Sequence, residues 1–447
     1  MIGIKQGMVM QRGTDDRCDI LLTSDTPLRT ASWAGDTSGQ AALENCGEGV
    51  YRLTGIPTGG PYAVTIDGER FDDIYVGDLW ILAGQSNMEG VGWLTPEDRA
   101  FTGRDTVRAL YMTDEWGVAN HPLHELWKAV DKVHTDVLGP GDPAHIVVRQ
   151  VGPGLEFALQ MERYFGVPQG VLCCAHGGTA MEHWDPAIKD LGGDKSLYGA
   201  MLRRVKTNGS HVRGMFWYQG CSDAYQPAAD HFNENMERFV AECRRDFGAE
   251  LPFVQVQICR MVTADEAAAS PMWNTIREQQ RTLGERIPRL ATISTIGKRL
   301  DDIIHISSDS QRQVGRQAAE AMYWLLCGTD RYGCLPPPAY RGYRIYEDGV
   351  TGTAIIEVSY ENLHGSLTSA GRPVGFAVSR KPDALTDPLV LDTWLKGDKA
   401  LVRTGLAPQD LEGCWLFYGF GIDPVCSIQD QLGREIPAMG PIKLTME

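Results

Sequence analysis

From Val76 to about residue 330 the chain alternates short apolar runs with amphipathic segments, and no other feature limits its possible folds as strongly. Asp78 to Ala83, Val107 to Met112, Gly170 to Ala175, Gly214 to Tyr218, Phe253 to Ile258 and Leu290 to Ile296 have the length and composition of buried strands. Between them, Phe232, Met236, Phe239, Val240 and Cys243 recur at the spacing of one helix face, and Leu197, Met201, Leu202 and Val205 keep a similar step. Strand followed by helix, repeated, predicts a mainly parallel sheet covered on both faces, a three-layer α/β/α arrangement.

The flanks read differently. Cys18 to Leu22, Val50 to Leu53 and Tyr62 to Ile66 are short strand candidates separated by Gly, Pro, Thr and Asp, without helical periodicity. Near the other end, Ser308 with Gln311 three residues on predicts a capping box, and Val314, Ala318, Ala321, Met322 and Leu325 line one face of the helix that follows. Cys327-Gly328 ends it. Leu335-Pro336-Pro337-Pro338 then forms a stiff linker, after which Tyr343 to Tyr346, Ala354 to Tyr360, Val374 to Ser379 and Trp415 to Gly419 alternate like antiparallel strands. The expected organisation is an N-terminal β-domain over 1–75, an α/β domain over 76–330 and a C-terminal β-sandwich-like domain over 335–447.

Charge and cysteine usage narrow the function. A formal charge of −16 with no basic block argues against nucleic acid or an anionic membrane surface as a partner, and favours a neutral ligand. The opening MIGIKQGMVMQRGTDD lacks the charged and apolar regions of a secretory leader, and no stretch approaches the roughly 18 apolar residues of a membrane span. The expectation is a soluble, cytoplasmic protein. Its 11 cysteines are odd in number and scattered without CxxC pairs, which favours buried thiols over a disulfide framework or a zinc site. His121-Pro122-Leu123-His124 has a spacing that could bind a metal on a helix, but Pro122 opposes the helix and no third ligand is indicated. These residues signal no metal site, and oligomeric state is not legible.

The chemistry-bearing residues fall at strand ends. In GDLWILAGQSNMEG, Gly77 to Gly90, the apolar run stops at Gly84-Gln85-Ser86-Asn87 and leaves Ser86 on a tight turn at a carboxyl end, where α/β sheets collect ligands. Ala175-His176-Gly177-Gly178-Thr179 follows another strand, and its glycines let backbone N–H groups approach a ligand. Gln219, after Trp217-Tyr218, offers an amide that can donate to a developing oxyanion. In Asp302-Ile303-Ile304-His305 the carboxylate can reach the ring Nδ1 and leave Nε2 to take a proton from a hydroxyl, with Asp301 as a competing carboxylate. Taken singly, each feature is also explained by turn formation or packing. Together they make a complete inventory for acyl transfer.

GQSNM, HGGTAMEHW, WYQG and DIIHISSDSQRQVG resemble, in order and local sequence, the four blocks of the SGNH hydrolases, and more narrowly the sialate O-acetylesterase-like carbohydrate esterases. GQSNM is the most specific of the four. GMVMQR near the start also looks like that family's approach to the catalytic domain, so the resemblance spans the N-terminal β-domain and the α/β domain. It implies a flavodoxin-like α/β hydrolase that cleaves acetyl esters on sugars through an acyl-serine intermediate, without a cofactor. Ser86 is then the nucleophile, His305 the general base and later acid, and Asp302 its orienting partner. The Ser86 N–H, the N–H of Gly178 or its neighbour Gly177, and the Gln219 side chain are the implied oxyanion hole. Where the family commonly reads QGE, this chain has Gln219-Gly220-Cys221, so the supporting carboxylate at that corner is missing: either nearby Asp223 or Glu182 substitutes for it, or activity is reduced. Cys221 itself has no basic neighbour in sequence to lower its pKa and is a poor nucleophile.

Gln85 and Asn87 flank the serine and are the nearest substrate-binding candidates. Trp184 and Trp217, with Trp93 and Trp273, could present flat faces to a sugar ring, against core packing as the ordinary role of such residues. Arg277 and Arg260 could pair with a sialate carboxylate, against pairing with internal acids. Two rival functions use the same residues: a lipase or thioesterase acting on longer acyl chains, and a carbohydrate-binding protein whose chemistry is weakened by the missing glutamate. The substrate is expected to be a small molecule or an oligosaccharide.

Overall fold

A computed structural model describes residues 1–139, 149–264, 266–329, 331–385 and 389–446. They form two compact units: Met1–Trp217 with Asn235–Phe253 and Gln311–Ala319, and Tyr218–Glu234 with Val254–Ser310 and Glu320–Glu447.

The first unit holds β1 (Val9–Gln11), β2 (Arg17–Thr23), β3 (Ala31–Ala34), β4 (Ser38–Gly47), β5 (Val50–Pro57), β6 (Gly59–Ile66) and β7 (Glu69–Gly84). After the short helix α1 (Ser86–Glu89) come β8 (Gly92–Trp93), β9 (Val107–Leu110), β10 (Trp116–Val118), β11 (Arg149–Val151), helix α2 (Gly154–Phe165), β12 (Gln169–Cys173), helix α3 (Leu197–Lys206) and β13 (Gly214–Tyr218). Helix α4 (Phe232–Phe247) contributes most of its length to the same unit. One large sheet runs β10-β9-β12-β7-β6-β3-β4-β5-β2, and β1 and β13 also pair with β7.

Strand β7 organises this unit. Its early residues pair antiparallel with β6, while Asp78 to Leu82 pair parallel with Gln169 to Cys173 of β12. The boundary expected near residue 75 therefore falls inside one continuous strand, and the antiparallel N-terminal strands share a sheet with the parallel ones. From Ile74 onward every residue of β7 is buried, as a strand covered on both faces requires. Trp80 shows how that cover is made: its ring meets Phe157 of α2 edge-on at 5.5 Å, and its indole N–H donates to Gln169 Oε1 at 2.7 Å. A separate apolar cluster including Met10, Ile20, Leu22, Trp33, Leu53, Val64 and Ile74 fills the N-terminal strands.

The second unit pairs β14 (Phe253–Val256) with β15 (Leu290–Ile293) and carries helix α5 (Glu266–Arg286) between them. Helix α6 (Ser308–Cys327) follows. Its cap differs from expectation. Ser307, not Ser308, takes the N-cap position and accepts from the Ser310 N–H, while Gln311 turns away to donate to Asn87 Oδ1 at 3.0 Å. The C-terminal strands are β16 (Ala339–Glu347), β17 (Ala354–Glu361), β18 (Leu367–Ser369), β19 (Phe376–Ser379), β20 (Val390–Lys396), β21 (Lys399–Thr404), β22 (Trp415–Tyr418), β23 (Ile428–Asp430) and β24 (Met439–Lys443). They form the antiparallel sheets β16-β17-β21-β20, β19-β22-β24 and β18-β23 around a core that includes Ile356, Val358, Val402, Leu416 and Tyr418.

All 11 cysteines are free thiols. Among the described residues no helix is long and apolar enough to cross a membrane, and no group of three His, Cys, Asp or Glu side chains could hold a metal ion.

Candidate active site

In the first unit the parallel pairing of β7 with β12 sets two loops side by side. Gly84 ends β7 with φ +130°, Gln85 stays extended, and Ser86 opens the single turn of α1, closed by the Gly90 N–H on Ser86 O at 2.9 Å. The β12 chain continues in parallel, with the Cys174 N–H on Leu82 O at 2.9 Å and the His176 N–H on Gly84 O at 3.0 Å. The His176-Gly177-Gly178 loop is thereby delivered to the serine turn. A Cβ on Gly177 would lie 3.3 Å from Ser86 Cβ and 2.8 Å from Glu89 Oε2, so this position has no room for a side chain. Gly178 is exposed with φ +71°, a left-handed conformation that glycine adopts without steric cost.

Glu89, three residues after Ser86 on the same turn, was not singled out by sequence. It accepts the Gly177 N–H at 2.7 Å, and burial pushes its carboxyl up to about 7 although that hydrogen bond lowers it. Only the spacing GQSNME, which repeats one helical turn, signalled it. Behind the loop, the Nδ1 atoms of His176 and His134 stand 2.9 Å apart, so one ring carries the shared proton. Burial lowers His176 to about 4 and His134 well below its usual value, which keeps the pair uncharged.

The residues proposed to hold substrate in this unit are buried. Gln85 and Asn87 are 3% and 1% exposed, and Asn87 is engaged by Gln311. Asn87 thereby braces the turn. Trp184 and Trp217 are both fully buried, packed edge to face at 5.1 Å, with the Trp184 indole donating to Thr179 Oγ1 at 3.0 Å. These two rings are core, and offer no flat face to a sugar. Trp93 is 42% exposed.

In the second unit Asp302 and His305 sit at the tip of a small hairpin closed by the Leu300 and Ile306 bridge and by the Asp301 N–H on His305 O at 2.9 Å. Asp302 Oδ2 lies 2.7 Å from His305 Nδ1, and Oδ1 accepts the backbone N–H groups of Ile304 and His305 at 2.9 and 2.8 Å. Burial raises the Asp302 pKa, but these donors outweigh it and hold the carboxyl below its ordinary range. An ionised Asp302 makes Nδ1 the protonated nitrogen and puts the basic lone pair on Nε2. The competing carboxylate, Asp301, instead accepts the Ser308 N–H at 3.2 Å at the start of α6, where a negative charge suits the helix dipole.

Gln219 follows β13 and is fully buried. Its side-chain amide donates to Asp223 Oδ2, and its backbone carbonyl accepts from Gln280 Nε2 at 2.8 Å. Asp223 reaches it because Cys221–Asp223 forms a 3-10 turn after Gly220, whose φ is +140°. The carboxylate missing at Cys221 is thus supplied two residues later. Burial raises the Cys221 thiol well above its usual range, and no thiolate forms there at neutral pH.

Arg277 does not face a ligand. It is 1% exposed, and its guanidinium donates to the carbonyls of Ile258, Cys259, Gly419, Gly421 and Ile422. Its five N–H groups serve the loops around it. Arg260 is paired with Asp423.

The first unit thus carries a serine at the end of a parallel strand beside a two-glycine loop, and the second carries an oriented histidine and a braced amide, the residue types of an ester-cleaving α/β hydrolase. Residues 76–324, more than half of the chain, match the family described as carbohydrate esterase, sialic acid-specific acetylesterase. The chain belongs to that family and is an esterase that hydrolyses O-acetyl esters on carbohydrates. Among solved structures it is similar to a carbohydrate acetylesterase from Xanthomonas citri, with 20% identity, 98% of both chains covered and a TM-score of 0.72. It is also similar to a protein from Arabidopsis thaliana, with 26% identity over 56% of this chain and 99% of the other and a TM-score of 0.45. No curated protein matches the chain.

Proposed function

We propose that Ser86 is the nucleophile of this esterase, His305 its general base and then acid, and Asp302 the residue that orients His305, the three acting as a catalytic triad. The observation that carries the reading is the 2.7 Å contact between Asp302 Oδ2 and His305 Nδ1, which leaves Nε2 to work as a base. Ser86 Oγ attacks the acetyl carbonyl as its proton passes to His305 Nε2. The sugar oxygen leaves with that proton, acetyl-Ser86 remains, and water activated by His305 releases acetate. The N–H groups of Ser86 and Gly178 and the Gln219 amide are assigned to the oxyanion. Gly178 is preferred over its neighbour because Glu89 already holds the Gly177 N–H. Asp223 engages the Gln219 amide and sets its orientation. One such donor typically contributes about 2.7 to 4 kcal/mol to the transition state.

The substrate we propose is a neutral acetylated oligosaccharide. Supporting this are the net charge of −16 and the commitment of Arg277 and Arg260 to internal partners. The family's description favours a second reading, an acetylated sialic acid. Eleven free thiols suit a reducing, cytoplasmic setting for the same activity.

Ser86→Ala and His305→Ala should each abolish hydrolysis of 4-nitrophenyl acetate while leaving the circular dichroism spectrum and melting temperature intact. Wild-type turnover by either variant sinks the assignment. Acetate release from neutral acetylated xylo-, gluco- and manno-oligosaccharides, measured beside O-acetylated sialic acid, separates the two sugars. Faster release from the sialate would select the second reading, and faster cleavage of octanoyl than of acetyl esters would select a lipase.

A further inference from the structure

Glycine gives a loop close access to its neighbours but no stiffness, so the position of the 177–178 segment depends on what holds its main chain. Several bonds hold it. The His176 N–H is anchored on Gly84 O at 3.0 Å, Thr179 Oγ1 donates to His176 O at 2.8 Å, and the Gly177 N–H is taken by Glu89 Oε2 at 2.7 Å. Of these, the last reaches the loop from the turn that carries Ser86, because Glu89 and Ser86 are the two ends of α1. The same carboxylate oxygen is the nearest atom to a Cβ built on Gly177, at 2.8 Å, and Ser86 Cβ is the next, at 3.3 Å. The Gly177 main chain therefore lies close against both the Ser86 side chain and the Glu89 carboxylate.

We propose that Glu89 is a positioning residue of this esterase: its carboxylate clamps Gly177, and through it the two-glycine loop, against the turn that carries Ser86. The inference rests on the reading of Ser86 as the nucleophile. A charged acceptor shortens and strengthens such a bond relative to a neutral one. Ionised Glu89 therefore holds the loop in register, and protonated Glu89 holds it loosely. The clamp touches neither the substrate nor the reacting atoms. It fixes where the Gly178 N–H stands when the acetyl carbonyl becomes an oxyanion, so its effect falls on kcat.

The titratable groups on the elements packed here are His124, whose Nδ1 is 3.0 Å from the Glu89 carbonyl, and His134, His176 and His183 around the glycine loop. Burial drives His124 to about 3, His176 to about 4 and His134 well below its usual value, so these three stay neutral from mildly acid to alkaline pH. Among the described residues no charged side chain contributes to the shift of Glu89, which burial places at about 7.

The test measures kcat and KM for 4-nitrophenyl acetate between about pH 5.5 and 9 for the wild type, Glu89→Ala and Glu89→Gln, with melting temperatures and Ser86→Ala alongside. Glu89→Ala should lower kcat about 10- to 100-fold with little change in KM, the range expected for losing a hydrogen bond to a charged group. Glu89→Gln, which keeps a neutral acceptor, should recover part of that loss. The ratio of wild-type to Glu89→Gln kcat/KM should rise with pH through a single ionisation near 7, and keep doing so in a His183→Gln background. A pH-independent ratio, or wild-type kcat in folded Glu89→Ala, overturns the proposal. Activity surviving in Ser86→Ala would instead remove the reading beneath it.

Discussion

The amide of Gln219 donates to the carboxylate of Asp223 inside a region where the two side chains are 0% and 1% exposed. Removing Asp223 takes away the charged acceptor that orients this buried amide. Asp223→Ala should therefore lower kcat for 4-nitrophenyl acetate about 10- to 100-fold, by the 1.5 to 3 kcal/mol that a hydrogen bond to a charged group contributes. Asp223→Asn should retain part of the rate through its remaining carbonyl oxygen. Steady-state kinetics with a thermal melt on each variant checks this, and unchanged kcat in both would dissociate Gln219 from the reaction.

Asp302 holds a different kind of partner. With Nδ1 facing Oδ2 at 2.7 Å, the ring is locked in one tautomer. Asp302→Asn keeps the shape but offers an N–H to the same nitrogen, which favours the opposite tautomer and leaves Nε2 protonated. A fall in kcat of about 10⁴-fold accompanies such a change in a serine protease triad, and a loss of that order is expected here. Asp301→Asn should cost far less activity, because Asp301 serves the start of α6.

Residues far apart in sequence explain what the sequence left unread. Asp302 and His305 were legible as a pair because three residues in a loop confine both, and β13 was legible because Gly214 to Tyr218 is uniformly apolar. Helix α5 was not read, since Pro271 lies inside it and interrupts the pattern; α2 follows Pro153, which offers no capping side chain. The contact of Gly177 with Ser86 and Glu89 depends on β12 pairing in parallel with β7, a tertiary fact with no local signature. Trp184, Trp217 and Arg277 carry the chemistry of sugar and carboxylate recognition, but residue type does not reveal which way a side chain faces, and all three face inward.

The two glycines of the loop should respond oppositely to a methyl group. Gly177→Ala places a Cβ 2.8 Å from Glu89 Oε2 and 3.3 Å from Ser86 Cβ, which forces the clamp or the serine aside. A loss of kcat of about 100-fold is expected, on the scale of a 1 Å misplacement in an active site. Gly178→Ala meets nothing within 4 Å, and its cost is the strain of φ +71°, about 1 to 2 kcal/mol of stability. Kinetics and melting temperatures on the pair should separate a steric effect from a backbone one.

Glu89 should also be visible in the pH dependence of stability. Its folded pKa of about 7 lies above its ordinary 4.5, so the folded protein keeps a proton that the unfolded chain has lost. The sign follows: this group favours folding most below 4.5, loses that advantage as pH rises to about 7, and changes nothing further above it. Relative to Glu89→Gln, the wild type should melt at progressively lower temperature across that window. A difference in melting temperature that is constant between about pH 4.5 and 8 would show that Glu89 is not perturbed by folding.

Arg277 provides the test that divides structure from specificity. Burial lowers its pKa to about 10, yet it remains charged at neutral pH, stacked against the Trp273 ring at 5.4 Å and spread over five backbone carbonyls. Lysine carries the same charge but one compact donor group, and cannot span those five acceptors from a single position. Arg277→Lys should therefore lower the melting temperature by several degrees. It should leave the ratio of kcat/KM for acetylated sialic acid to that for a neutral acetylated oligosaccharide within about twofold of wild type, since a change of 1.4 kcal/mol in selectivity is tenfold. A residue that pairs with a substrate carboxylate behaves the other way, with selectivity collapsing while stability holds. That outcome would return Arg277 to the binding site and remove one support for a neutral substrate.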